Sequence, residues 1–291
     1  MTPLIKQGWM RAILLLLAFI GCSLLAGLIA SFAVIAPAFS TISKAPQPDL
    51  VLQVIILSLF ISALLNCLLT VIFRRYIDRQ PVVSLGFRWQ PYKPDAITGF
   101  CLGIALLGAG TLVLFATKNL EWSDVHFKAR DFFMGLALMV LIAFSEEMVF
   151  RGYILNNLMD SMNKWAALGV SAVLFTIAHG ANPGISSVAV VNLLLAGGLL
   201  GINFIYTRNI WFAIFFHFSW NFMQGPVLGY EVSGLPLQGV LQPDLQGPWW
   251  LTGGVFGMEG SFIITVLLAG ALLLLYALYE KHYAKAISAS L

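Results

Sequence analysis

The chain has 291 residues, of which 59% are hydrophobic and 10% charged, and its mean hydropathy is +0.89. Soluble domains carry about 25% charged residues, so a water-soluble globular protein is excluded. The formal charge of +3 is too small to point to nucleic acid. With no long polar stretch, residues 1–291 read as a single integral membrane domain. The expected architecture is all-α and polytopic, with about eight transmembrane helices.

A short basic lead, Met1–Arg11, precedes the apolar run Ala12–Phe39. Signal-peptide cores are about 7–15 residues long, and this run is nearly twice that, which predicts an uncleaved spanning helix. A lipoprotein cysteine at Cys22 is disfavoured because the apolar run continues past it. Cys22, Cys67 and Cys101 all lie in apolar segments at no metal-type spacing and read as small core residues. After Lys44 and the Pro46/Pro48 linker, a second span is expected over Leu50–Phe73. The segment Arg74–Lys93 is the most basic loop. A third span is expected over Asp95–Thr117, then a mixed-charge loop from Lys118 to Asp131. These first three spans, roughly 12–117, read as accessory to a motif-bearing core at about 130–280.

The fourth span, Phe132–Leu158, contains Glu146, Glu147 and Arg151. A charge at mid-bilayer costs roughly 2.5–3.5 kcal/mol on insertion scales and needs a partner or a function. Glu147 and Arg151 are four apart with the acid first, the favourable order for an ion pair on one helical face. Glu146 is turned about 100° from Glu147 on a helix of 3.6 residues per turn, so it is left over. Glu147 and Arg151 therefore read as supporting structure, and Glu146 as the residue that needs a function.

A polar hinge at Asn156–Lys164 leads to a fifth span, Trp165–Gly180, which contains His179 near its end. The sixth, Ser186–Tyr206, carries Gly197, Gly198 and Gly201, small residues that let helices approach closely. The seventh, Ile210–Leu228, holds His217 and Asn221. Gly229–Gly260 is too broken by Gly and Pro to span and reads as interfacial or re-entrant. The eighth span is Ser261–Tyr279, with a tail from Glu280 to Leu291. Under eight spans, eleven Lys and Arg fall on one face and four on the other, so both termini are expected in the cytoplasm.

His217 and Asn221, four apart, stack on one helical face. Glu146, His179, His217 and Asn221 thus come from three helices, which is how bundles build interior sites. A carboxylate, two imidazoles and an amide suffice to activate water beside an acyl carbon and hold the oxyanion that develops. Taken singly, a histidine or an asparagine in a spanning helix is ordinarily a helix–helix hydrogen-bond partner. Buried Glu and His are also signs of an ion-coupled transporter, but that class predicts inverted repeats, and none is evident.

Glu146-Glu147-x-x-x-Arg151, Phe175-x-x-x-His179 and His217-x-x-x-Asn221, in that order, resemble the three motifs of the CPBP family. This family includes the CAAX prenyl endopeptidases of the Ras-converting type and bacteriocin-processing or immunity (ABI) proteins. The segment Leu251–Ser261 is similar to a Gly-rich stretch of many bacterial members. The resemblance implies an eight-helix intramembrane endopeptidase with a catalytic cavity inside the bundle, in a bacterial cytoplasmic membrane, acting on a membrane-bound peptide or lipidated protein. By motif position, Glu146 activates water with His179 assisting, and His217 and Asn221 bind the oxyanion. A non-catalytic scaffold or immunity factor of the same fold is the alternative. Members are often labelled metalloproteases, yet His-Glu-x-x-His is lacking, and zinc would have to be assembled from Glu146, His179 and His217 across helices. No cofactor is favoured. Partners are the substrate peptide and the lipid bilayer, with no nucleic acid.

Overall fold

The structure, a computed structural model, describes residues 2–38 and 48–288. Lys44, Pro46 and the last residues of the tail therefore lie outside the described residues. Among the described residues eight α-helices are twelve residues or longer: α1 (Gly8–Ala38), α2 (Pro48–Ile72), α3 (Lys93–Ala116), α4 (Ala129–Glu147), α5 (Lys164–Ala178), α6 (Ser187–Ile202), α7 (Trp211–Phe222) and α8 (Phe262–Ser288). An all-α polytopic membrane fold results, with one small exception.

Among the described residues six stretches are long and apolar enough to cross a bilayer: Gly8–Ile35, Leu50–Ile77, Lys93–Ala116, Ala129–Leu158, Ser187–Thr207 and Phe262–His282. The expected fifth and seventh spans are shorter than the sequence reading had them. α5 has 15 residues, about 22 Å at 1.5 Å per residue, against a hydrocarbon core of about 30 Å. α7 has 12 residues and continues in π-helical turns to Val227 around the internal Pro226. His179 caps the C-terminus of α5 and His217 lies midway along α7, so neither histidine sits in a full-length span.

The exception is a two-stranded antiparallel sheet, β1 (Leu120–Val125) with β2 (Leu241–Leu245), bulged between Trp122 and Asp124. It sits where the sequence suggested only a charged loop and a broken segment. Its effect is to tether Gly229–Gly260 to the loop after α3.

Small residues set the closest helix contacts. Gly99 and Gly103, spaced as Gly-x-x-x-Gly on α3, leave room for the backbone of α7. A side chain at Gly99 would run into the Phe212 carbonyl, and one at Gly103 into the Ser219 hydroxyl. Without a hydrophobic drive between helices in lipid, such close approach is a main source of association.

The start of the chain is locked by a charge cluster. Asp78 is fully buried and accepts from Arg11 Nη1 at 3.2 Å, Arg74 Nη1 at 2.7 Å, the Tyr153 hydroxyl at 2.8 Å and Asn157 Nδ2 at 3.2 Å. Arg74 also donates to the Ser84 hydroxyl and carbonyl. Two residues that read as charged flanks of spans are thus partners of one buried carboxylate joining α1, the end of α2 and the turns after α4.

Candidate active site

α4 gives way to π-helical turns over Met148–Leu155 immediately after Glu147. Such turns are rare and are frequent at functional sites. Glu147 is fully buried, and its Oε1 accepts from Arg151 Nη1 at 2.9 Å. Arg151, 1% exposed, also donates to the Gly197 carbonyl at 3.2 Å and lies 4.5 Å above the Phe175 ring. The ion pair expected from the spacing therefore forms, and it is embedded between α4, α5 and α6.

Glu147 has a second partner that the sequence reading did not include. Its Oε1 lies 2.8 Å from His217 Nδ1. A carboxylate accepts, so Nδ1 carries the proton of this bond, and Nε2 is the ring nitrogen left for other work. The Glu147–Arg151 pair thus orients the imidazole of the third motif.

Glu146 faces elsewhere. Its Oε2 is buried without a hydrogen-bond partner and lies 3.7 Å from His179 Nε2. His179 is steered by the other ring nitrogen, Nδ1, which is 2.9 Å from the Phe175 carbonyl. Asn221 is 4% exposed, and its side-chain amide makes no hydrogen bond among the described residues. It and both histidines line a cavity of about 570 Å³ together with Glu146. A groove of about 410 Å³, walled by Phe19, Ser23, Ser62 and Asn66 of α1 and α2, reaches Glu146 and His179 from the side. All four residues singled out in the sequence therefore meet at one cavity, and the supposedly accessory helices α1 and α2 form one wall of its approach.

Glu259 was missed. It belongs to the Gly-rich Leu251–Ser261 stretch and lines a small pocket with His179, His217 and Asn221. Its Oε2 accepts from the Ser233 N–H at 2.8 Å and the Ser233 hydroxyl at 2.6 Å. Burial pushes its carboxyl above the ordinary value, opposed by the Ser233 hydrogen bond and the nearby histidines. The loop can fold this tightly because Gly257 has φ +86° and sits against the Glu231 carbonyl, where a side chain would collide. The signal available was a lone carboxylate inside a glycine-rich apolar stretch. Phe175 was quoted only as part of a motif, yet its ring packs against Arg151, His179 and His217 alike.

Were zinc bound, Glu146, His179 and His217 would offer one carboxylate and one ring nitrogen each, since His217 turns Nδ1 to Glu147 and His179 turns Nδ1 to a backbone carbonyl. Among the described residues no group of three or more His, Cys, Asp or Glu is disposed to hold a metal ion.

Residues 128–223 match the family model described as Type II CAAX prenyl endopeptidase Rce1-like. The match covers about a third of the chain, spans all three motifs and is consistent with the CPBP resemblance over that stretch. It is a family of proteases. No curated protein matches the chain.

Proposed function

We propose that the chain, whose residues 128–223 carry the motif-bearing core of this protease family, is an intramembrane endopeptidase. It hydrolyses a peptide bond in a membrane-associated peptide, prenylated or leader-bearing, with water activated by glutamate. The observation that carries this reading is the Glu146 carboxylate: unpartnered at Oε2, 3.7 Å from His179 Nε2, and at the junction of the cavity and the lateral groove.

A water between Glu146 and the scissile carbonyl gives its proton to the carboxylate as it attacks. His179 holds that water or shares its proton. The tetrahedral oxyanion receives hydrogen bonds from Asn221 Nδ2 and His217 Nε2. Because Nδ1–H of His217 is committed to Glu147, Nε2 donates only from the doubly protonated ring. The collapsing intermediate takes the proton from Glu146 onto the leaving amine, which restores the base. α1 and α2 wall the lateral groove, so a lipid-bound substrate enters sideways between them and α4. Orientation follows the Lys and Arg distribution, with both termini cytoplasmic in a bacterial inner membrane. Proteolysis assays on membranes containing the wild-type chain or Glu146→Ala test the reading: cleavage products should depend on the intact carboxylate.

A further inference from the structure

The groove that reaches Glu146 from the side has a polar wall. Ser58, Ser62 and Asn66 are spaced by four on α2 and share one helical face. All three line the groove, together with Ser23 of α1 and Ser145 of α4. On the far side of α2, Leu64 and Leu68 are 59% and 56% exposed and form a lipid-facing surface.

Polar side chains within a spanning helix bond to a neighbouring helix or face a water-filled space. The first accounts for part of this set. The Ser23 and Ser62 hydroxyls lie 3.0 Å apart and tie α1 to α2, and Asn66 Nδ2 donates to Ser62 Oγ at 3.1 Å. The rest is not helix-to-helix bonding. The Ser58 and Ser145 hydroxyls donate to carbonyls of their own helices, those of Ile55 and Ile142, and so join nothing. Asn66 is 3% exposed and its Oδ1 is buried without a partner, which is costly unless water pairs it.

The inner end points the same way. Glu146 Oε2 and His179 Nε2 are 3.7 Å apart, beyond direct hydrogen bonding, so a water bonded to both completes the pair. The groove measures about 410 Å³, and a water takes about 30 Å³ of liquid, so a file of waters fits. The larger cavity is different. Beyond its catalytic groups it is walled largely by Ile55, Leu59, Met139, Val232, Leu235 and Val255, a lining that suits a seated substrate and not a water supply.

We propose that Ser58, Ser62, Asn66 and Ser145 keep the lateral groove wet, and that it delivers the attacking water to Glu146 and His179. The inference rests on the endopeptidase reading. Each turnover consumes one water, and a substrate seated in the apolar cavity blocks that side. A substrate that enters sideways comes to rest beyond the groove, and the polar wall then draws water back in.

The test is thiol labelling of the full-length chain in permeabilised lipid vesicles, in a Cys22→Ala, Cys67→Ala, Cys101→Ala background. The probe is a small charged thiosulfonate, which reacts with the thiolate and so needs water at the sulfur. Ser58→Cys and Ser62→Cys should react at least about tenfold faster than Leu64→Cys and Leu68→Cys. Equal rates would mean a lipid-filled groove and overturn the proposal. Kinetics then separate a wet groove from a supply route. Ser58→Val, which breaks no bond between helices, and Ser62→Val should each lower kcat about tenfold with KM unchanged. Ser58→Thr and Ser62→Thr, which keep the hydroxyl, should restore it. An unchanged kcat in the valine variants would overturn the supply role, and so would a raised KM with kcat intact, which marks substrate passage. If the wild type cleaves nothing, the endopeptidase reading falls, while labelling still decides whether the groove is wet.

Discussion

Glu147 Oε1 accepts from Arg151 Nη1 at 2.9 Å and from His217 Nδ1 at 2.8 Å. One carboxylate oxygen therefore joins the supporting ion pair of the first motif to the histidine of the third. The two adjacent glutamates have separate work: Glu147 fixes the geometry of the site, and Glu146 is left open to the cavity.

Removing the Glu147 charge should cost stability. With both partners at most 1% exposed, Glu147→Gln or Arg151→Gln leaves a buried charge uncompensated, typically about 3–5 kcal/mol. Thermal melts in detergent should show both variants well below wild type. Glu147→Gln should also lower kcat, because His217 loses its orienting partner. A Glu147→Gln variant with wild-type melting would contradict this division of labour.

The oxyanion pair makes a kinetic prediction. Asn221→Ala and His217→Ala should each lower kcat by about 10²–10³, the usual effect of losing one oxyanion donor, with little change in KM. The two donors differ in pH response. His217 donates from Nε2 only as the imidazolium, so its contribution is present at low pH and lost as pH rises through its own pKa. Asn221 donates at any pH. The wild-type rate profile should therefore have an alkaline limb that His217→Ala lacks. An unchanged limb in that variant would assign it to another group.

The Asp78 cluster predicts stability without chemistry. Asp78→Asn leaves Arg11 and Arg74 short of a counter-ion in the interior and should destabilise by about 3–5 kcal/mol. The fraction that remains folded should cleave with wild-type kcat and KM. A changed KM in folded protein would mean that the cluster also shapes the groove.

What could be read from the chain depended on distance along it. The Glu147–Arg151 pair was legible because a separation of four places both on one helical face. The bond from Glu147 to His217 was not, because it spans 70 positions and helical periodicity carries no information about which helices meet. Arg11 and Arg74 counted as loop charges, since nothing local marks Asp78 as their shared partner. The β1–β2 pairing lay hidden for a related reason: its two strands are short, polar in part, contain Pro243, and acquire their register only from each other. Glu259 sat in plain view, but a glycine-rich loop gives no period from which its direction could be inferred.

Metal content can be measured directly. His179 and His217 come from separate helices, so no two histidines share one helix face as in His-Glu-x-x-His, and purified active protein should contain well under one zinc per chain by elemental analysis. Prolonged o-phenanthroline should inhibit no more than its non-chelating isomer. Stoichiometric zinc that disappears in His179→Ala would overturn the metal-free reading.

The most direct test of the central claim is the cleavage rate of Glu146→Gln beside wild type, in membranes and in detergent. The side chain keeps its size but cannot take a proton from water. Glu146 makes no hydrogen bond at Oε2 and is not part of the Glu147–Arg151 pair, so expression and melting should stay close to wild type. Cleavage should be abolished. Wild-type cleavage by this variant would contradict the assignment of Glu146 as the base.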